Sequence, residues 1–141
     1  MAEGLTSWLV DASVLLARED THDQHHRDAK AVVDGPEAVT TLDLALYEAP
    51  NVAVRSWHDL NAAARLRQRV EEIARDGGLV RVDAALIERA TEIAHEHGIS
   101  VYDATYVAAA RAMGAQLVSC DVRELVSRGL ACLPGDAVSP T

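Results

Sequence analysis

Short apolar runs alternate along the chain with longer amphipathic segments. Apolar runs bounded by turn residues or acidic residues predict buried strands, whereas apolar residues at three- and four-residue spacing predict helices. The predicted strands cover residues 6–10, 38–41, 79–82 and 116–120, and an edge strand is expected at 130–133 before a frayed tail. The predicted helices cover residues 12–18, 22–33, 43–57, 59–76, 83–97, 100–113 and 122–127.

The alternation of strands and helices predicts the fold class. Strands that are separated by helices favour a parallel sheet with helices on both of its faces. We therefore predict an α/β protein, a three-layer α/β/α sandwich with a short-stranded, mostly parallel central sheet. No internal repeat or low-complexity linker divides the sequence, so we predict a single domain over residues 1–141 whose last few residues form a flexible tail.

Composition and charge narrow the functional classes. The chain has 141 residues, of which 49% are hydrophobic and 25% charged, and this composition excludes intrinsic disorder. Asp and Glu number 22 against 13 Lys and Arg, for a net charge of −9. That balance excludes a basic protein that coats nucleic acid through long-range attraction. It does not exclude a nuclease, because metal-binding carboxylates themselves add negative charge.

Targeting signals and cysteines indicate the compartment. The first residues carry no positively charged segment, and Asp11 interrupts the apolar run that follows, so we expect no signal peptide. No stretch reaches the roughly 18 uncharged residues that a membrane span requires. Cys120 and Cys132 lack the spacing of a metal site and are expected to be reduced thiols. We therefore expect a cytoplasmic protein with no membrane partner.

Four acidic residues lie where a parallel sheet places its ligands. Asp11 directly follows the first predicted strand, and Asp121 directly follows the fourth. Asp103 lies in the first turn of the helix that Ser100 begins, and Glu48 lies within the helix after the second strand among apolar residues. Ligands bind at the carboxyl ends of parallel strands, so these four carboxylates are candidates for one crevice.

Helix capping is the alternative explanation for three of these residues. Asp11 is well placed to cap the helix that follows it. Ser100 with Asp103, and Asp121 with Glu124, have the three-residue spacing of capping boxes. For any one of these residues alone, capping is the favoured interpretation. Glu48 is predicted in the middle of a helix, where no capping role explains it.

The chemistry of the four carboxylates favours a hard cation. Oxygen ligands without histidine or thiolate partners select Mg²⁺ or Mn²⁺ over zinc. Such an ion would neutralise carboxylates that otherwise raise one another's pKa. The reaction that suits this ligand set is the hydrolysis of a phosphodiester by metal-activated water.

Four segments together resemble a known family. They are residues 8–13 (WLVDAS), 47–51 (YEAPN), 98–108 (GISVYDATYVA) and 117–121 (LVSCD). Their order and spacing resemble the PIN domain and, more narrowly, the ribonuclease toxins of VapBC toxin–antitoxin systems. The third segment is the most specific of the four.

The resemblance implies a site, a substrate and partners. It places Asp11, Glu48, Asp103 and Asp121 around one or two Mg²⁺ or Mn²⁺ ions, with Ser13 and Asn51 in supporting positions. It also implies cleavage of RNA (tRNA, rRNA or mRNA), a homodimer, and inhibition by a cognate VapB-like antitoxin. The functional hypothesis is thus a metal-dependent endoribonuclease that acts as a toxin. The alternative is a catalytically weak PIN module that binds RNA or protein as a regulator.

Three arginines provide a further candidate contact with RNA. Arg65, Arg67 and Arg69 alternate along the helix predicted at 59–76, where they would contact phosphates beside an acidic site. Residues at this spacing spread around a helix instead of forming one stripe. An ordinary solvated helix face is therefore the favoured interpretation.

Overall fold

The computed structural model describes residues 7–138, and within them four strands form one parallel sheet. The strands are β1 (Ser7–Val10), β2 (Ala38–Leu42), β3 (Leu79–Val80) and β4 (Gln116–Val118), in the order β3-β2-β1-β4. Every pair of neighbouring strands is parallel, which confirms the predicted sheet. Thr6, the first residue of the predicted first strand, lies outside the described residues.

Pairs of helices connect successive strands. α1 (Ala12–Glu19) and α2 (His26–Val33) lie between β1 and β2, α3 (Ala45–Arg55) and α4 (Leu60–Arg75) between β2 and β3, and α5 (Ala84–His97) and α6 (Val101–Met113) between β3 and β4. A π-helical turn (Val122–Val126) and a short α7 (Pro134–Val138) follow β4. Within residues 7–138, no helix combines the length and the apolar character needed to cross a bilayer.

Alternate strand residues build a core on each face of the sheet. Trp8 and Val10 pack among buried residues of α1 to α4, whereas Leu9 and Leu117 pack among buried residues of α5 and α6. This division follows from the two-residue period of a strand, whose successive side chains point to opposite faces. The three-layer α/β/α sandwich is therefore confirmed.

The strand order creates a crevice beside β1. From β1 the chain moves to β2 and β3 on one side, and it then returns to place β4 on the other side of β1. After β4 the chain continues to Cys132, which forms a parallel bridge with Val118 on the side away from β1. Connections thus leave β1 and β4 in opposite directions, and such a switch point opens a ligand crevice at the carboxyl ends of the strands. The backbone N–H of Asp11 donates to the carbonyl of Val118 at 3.2 Å, so the pairing of β1 with β4 extends to this edge.

The helix predicted at 22–33 begins later than expected. α2 starts at His26, so the prediction is wrong for residues 22–25. Asp20 accepts a hydrogen bond from the His22 N–H at 3.0 Å, and Asp23 accepts one from the His25 N–H at 2.8 Å. These local side-chain turns compete with helix formation.

The end of the described chain is more ordered than predicted. The edge strand expected at 130–133 is reduced to a single parallel bridge between Val118 and Cys132. The expectation of a frayed tail is wrong for α7, because Ala137 and Val138 pack against the core on the α1 to α4 side of the sheet. Residues 139–141, the remainder of the predicted tail, lie outside the described residues.

Candidate functional site

The four candidate carboxylates lie at the same edge of the sheet. Asp11 follows β1, and Asp121 lies just past the end of β4. Glu48 is in the first turn of α3, which begins shortly after β2 ends. Asp103 is in the first turn of α6, and α6 leads directly into β4, so its first turn faces the carboxyl edge.

Asp11 is a buried carboxylate at the end of β1. Its side chain is held by Ser13, which donates to Oδ1 at 2.5 Å, and by the Val14 N–H at 3.3 Å. Burial raises the pKa of Asp11 to about 6, against hydrogen bonds from Ser119, Ser13 and Val14 that lower it, and nearby Asp103 raises it further. Within residues 7–138, no Lys, Arg or His forms an ion pair with Asp11.

Asp103 connects the other carboxylates electrostatically. Gly98 ends α5 in a left-handed conformation with φ 67°, and Ser100 then caps α6 by accepting from the Asp103 N–H at 3.0 Å. Burial raises the pKa of Asp103, and the negative charge of Asp121 raises it further. Asp103 in turn raises the pKa values of Asp11 and Glu48.

Glu48 is tied to a residue that sequence reasoning missed. The prediction that Glu48 lies in the middle of its helix is wrong, because α3 begins only at Ala45. The hydroxyl of Tyr106 donates to Glu48 Oε1 at 2.7 Å. Burial raises the pKa of Glu48, the Tyr106 hydrogen bond lowers it, and Asp103 raises it. The available signal was the position of Tyr106 one helical turn after Asp103, with its polar tip in an apolar helix.

Two serines join the ends of β1 and β4. Besides its bond to Asp11, the Ser13 hydroxyl accepts from the Cys120 N–H at 2.9 Å and lies 3.4 Å from the Ser119 hydroxyl. Ser119 accepts from the Asp121 N–H at 3.0 Å and is fully buried. Sequence reasoning selected Ser13 and missed Ser119. A serine between an apolar strand and an acidic residue was the signal for it.

Asp121 and Asn51 occupy more exposed positions. Asp121 caps the π-helical turn by accepting from the Glu124 N–H at 3.0 Å. Glu124 is a fifth carboxylate near the site, since it also raises the pKa of Asp103, although Arg128 pairs with it at 3.4 Å. Asn51 is exposed on α3, one turn after Glu48.

Capping and site formation therefore coexist. Asp11 and Asp121 cap the helical segments that follow them, as the alternative explanation predicted. Capping does not explain why Asp11 is buried with no basic side chain paired to it among residues 7–138. Nor does it explain why Asp103 lies close enough to Asp11 and Glu48 to raise their pKa values.

The donor chemistry of this edge fits a hard divalent cation. The negative charge of Asp103 raises the pKa values of Asp11 and Glu48, and that of Asp121 raises the pKa of Asp103, so a cation among these carboxylates would relieve repulsion. Oxygen donors of this kind suit Mg²⁺ or Mn²⁺. Among the described residues, no group of three or more His, Cys, Asp or Glu side chains is arranged closely enough to hold a metal ion. Any ion held here would therefore keep water among its ligands, as Mg²⁺ commonly does.

The three candidate arginines do not reach the carboxyl edge. Arg65 pairs with Glu19, the last residue of α1. Asp11 lies at the other end of α1, about 12 Å away along the helix axis. Arg69 lies 3.8 Å from Asp34, which precedes β2 at the opposite edge of the sheet. Arg67 pairs with Glu71 at 3.1 Å on the surface of α4. This arrangement favours the solvated helix face, and contact of these arginines with RNA stays a prediction.

Comparison with known proteins identifies the fold. A family model described as the PIN domain matches residues 8–127. The solved structure of Mycobacterium tuberculosis VapC20, a sarcin-ricin loop cleaving toxin, is 27% identical with a TM-score of 0.65, and the match covers 79% of this chain and 86% of that one. No match was found among curated proteins.

Two more distant structures share the fold. PAE2754 from Pyrobaculum aerophilum is 23% identical with a TM-score of 0.67, and the match covers 94% of this chain and 87% of that one. A toxin–antitoxin complex from Klebsiella pneumoniae is 16% identical with a TM-score of 0.65, and the match covers 89% and 96% of the two chains. At these identities the likeness concerns the fold alone.

Proposed function

The chain belongs to the PIN-domain family, and from this premise we propose that it is a Mg²⁺- or Mn²⁺-dependent endoribonuclease that acts as the toxin of a type II toxin–antitoxin pair. The observation that carries the proposal is the position of Asp103. Its charge raises the pKa values of Asp11 and Glu48, and its own pKa is raised by Asp121. Three carboxylates within electrostatic reach of Asp103 at a strand switch point are suited, together with it, to binding divalent cations.

Each residue of the proposed site has a distinct role. Asp11, Glu48, Asp103 and Asp121 would hold one or two divalent ions. When bound, such an ion supplies activation of water and stabilisation of the departing oxygen in phosphodiester hydrolysis. Ser13 orients Asp11 by donating to its Oδ1, and through the Cys120 N–H it also holds the loop that carries Asp121. Asn51, exposed on the same helix as Glu48, is proposed as a supporting residue.

RNA is the proposed substrate despite the net charge of −9. The charge repels a polyanion at long range, so binding has to depend on cations held at the carboxyl edge and on local contacts. The similarity to a toxin that cleaves the sarcin-ricin loop supports RNA as the substrate class. Candidate targets are tRNA, rRNA and mRNA.

A cognate VapB-like antitoxin and a second copy of the chain are the proposed protein partners. The structural likeness to a toxin–antitoxin complex supports the antitoxin, and the second copy rests on the resemblance to the VapBC toxins. Large apolar side chains beside the site also support protein partners, because exposed apolar patches mark protein contacts. Tyr47 is 77% exposed and Tyr102 is 63% exposed; both line one groove, and they directly precede Glu48 and Asp103 in the sequence.

A cleavage assay with sequenced products tests the proposal. Brief expression of the wild-type protein, followed by sequencing of RNA 5′ ends, should reveal new ends that do not appear with Asp11→Asn. The purified protein should cut the same RNA with Mg²⁺ or Mn²⁺ and lose this activity in EDTA. Binding of RNA without cleavage under any of these conditions would contradict the proposal and favour the regulator. A small protein encoded beside this chain should inhibit cleavage; if it does not, the toxin assignment is wrong.

A further inference from the structure

Tyr106 combines a buried ring with a hydroxyl at the candidate site. The residue is 2% exposed and packs in the core between the sheet and the pair α5 and α6. Its hydroxyl donates to Glu48 Oε1 at 2.7 Å. A side chain on α6 thereby contacts α3.

The direction of this hydrogen bond is set by its chemistry. An ionised carboxylate only accepts, so the single proton of the tyrosine hydroxyl goes to Glu48. Among residues 7–138, this is the only hydrogen bond that holds the Glu48 carboxylate. The bond restricts rotation of that carboxylate, and among residues 7–138 it leaves Oε2 without a hydrogen-bond partner.

We propose that Tyr106 is a positioning residue that orients Glu48 for binding a divalent cation. This inference rests on the proposed function, because it takes Glu48 to be a metal ligand. Tyr106 lies one turn after Asp103 on α6, so the same helix contributes one proposed ligand and aligns a second.

Thr40 provides a matched control for a merely structural role. Its hydroxyl is also buried and donates a hydrogen bond at 3.1 Å, but to the backbone carbonyl of Trp8 within the sheet. Thr40→Val and Tyr106→Phe each remove one buried hydroxyl and keep most of the side chain. A general loss of packing or hydrogen bonding would affect both variants in the same way.

Binding of Mn²⁺ without RNA tests the inference directly. The Kd for Mn²⁺, measured by electron paramagnetic resonance of the free ion, is compared for the wild type, Tyr106→Phe, Thr40→Val, Glu48→Gln and the double variant. Loss of a residue that orients a metal ligand typically weakens metal binding 10- to 100-fold. We expect Tyr106→Phe to raise the Kd about tenfold and Thr40→Val to leave it unchanged. In the Glu48→Gln background, Tyr106→Phe should have no further effect, because the two residues act as a unit.

Each outcome bears on the inference. An unchanged Kd in a Tyr106→Phe protein with wild-type circular dichroism would overturn it, as would fully additive effects in the double variant. A wild type that binds no Mn²⁺ would overturn it together with the metal site. A wild type that binds Mn²⁺ but cleaves no RNA would contradict the proposed function, while the Kd values would still decide the role of Tyr106. As a second readout, excess Mn²⁺ should restore most of the kcat of Tyr106→Phe in RNA cleavage.

Discussion

Asp103 raises the pKa of Asp11, a buried carboxyl group that lies on a different element of the fold. Asp103 lies in the first turn of α6, and Asp11 caps the start of α1. The order of the strands brings these two helix ends to the same edge of the sheet. Two carboxylates in this relationship repel each other when both are ionised. The repulsion lowers the stability of the metal-free protein and favours cation binding.

Replacing Asp103 separates the site interpretation from the capping interpretation. We expect Asp103→Asn to reduce RNA cleavage by at least a hundredfold, in the range seen when a key electrostatic group of an active site is removed. In EDTA, the same change should raise the melting temperature by a few degrees, because it removes repulsion worth about 1 kcal/mol. The measurements are a cleavage assay and a thermal melt.

The matched control for Asp103→Asn is a capping aspartate elsewhere. Asp83 caps α5 by accepting from the Leu86 N–H at 2.8 Å. Asn is nearly as good a cap as Asp, so Asp83→Asn should change neither cleavage nor the melting temperature by much. A large loss of folded protein in Asp103→Asn, with no change in Asp83→Asn, would show that Asp103 has a structural role instead.

The raised pKa of Asp11 predicts a pH dependence of stability. Its folded-state pKa is about 6 against an ordinary value of 3.8, so the folded state retains a proton that the unfolded state releases in this interval. The contribution of Asp11 to the unfolding free energy therefore falls as pH rises from about 4 to about 6 and is constant above that. This difference between the two pKa values corresponds to a change in unfolding free energy of at most about 3 kcal/mol.

Thermal or urea unfolding in EDTA at pH 5 and pH 7 measures this effect. Because other groups also titrate, the comparison is with Asp11→Asn, whose unfolding free energy should change less between the two pH values. If both proteins show the same change, Asp11 does not have a raised pKa. With Mn²⁺ present the wild type should show the opposite trend, since protonation of Asp11 below pH 6 competes with the metal.

Metal binding should stabilise the folded protein at neutral pH. A ligand that binds only the folded state adds about 2.7 kcal/mol at a concentration 100 times its Kd. Millimolar Mn²⁺ should therefore raise the melting temperature of the wild type by several degrees and that of Asp11→Asn by much less. Differential scanning fluorimetry measures both values, and an unchanged wild-type value would count against the proposed site.

Ser13 is expected to contribute to both stability and activity. Ser13→Ala removes a donor to Asp11 and an acceptor for the Cys120 N–H. We expect a loss of about 1–3 kcal/mol in unfolding free energy and a 10- to 100-fold loss of cleavage. Ser127, whose hydroxyl donates to the Arg123 carbonyl on the surface, is the control. Ser127→Ala should change the unfolding free energy by less than about 0.5 kcal/mol and leave cleavage unchanged. If Ser127→Ala lost as much cleavage activity as Ser13→Ala, the effect of Ser13→Ala would be nonspecific.

Local signals in the sequence were sufficient for most of the fold. Short apolar runs bounded by turn or acidic residues identified the four strands, and apolar residues at three- and four-residue spacing identified the principal helices. Gly98 and Ser100 marked the turn that begins α6. Two predictions of secondary structure were wrong for different reasons. Asp20 and Asp23 form local side-chain turns that shorten α2. α7 depends on packing against the core, which no periodic pattern in the sequence indicates.

The sequence by itself determined the alternating α/β pattern, the four acidic positions and the resemblance that connects them. Only the tertiary structure decided that Tyr106 holds Glu48 and that Ser119 joins Asp11 to Asp121. It also placed Arg65 and Arg69 away from the carboxylates. The reason is that capping and periodicity are set by neighbours in sequence. Burial and electrostatic reach are set instead by the order of strands in the sheet, which brings distant segments to one edge.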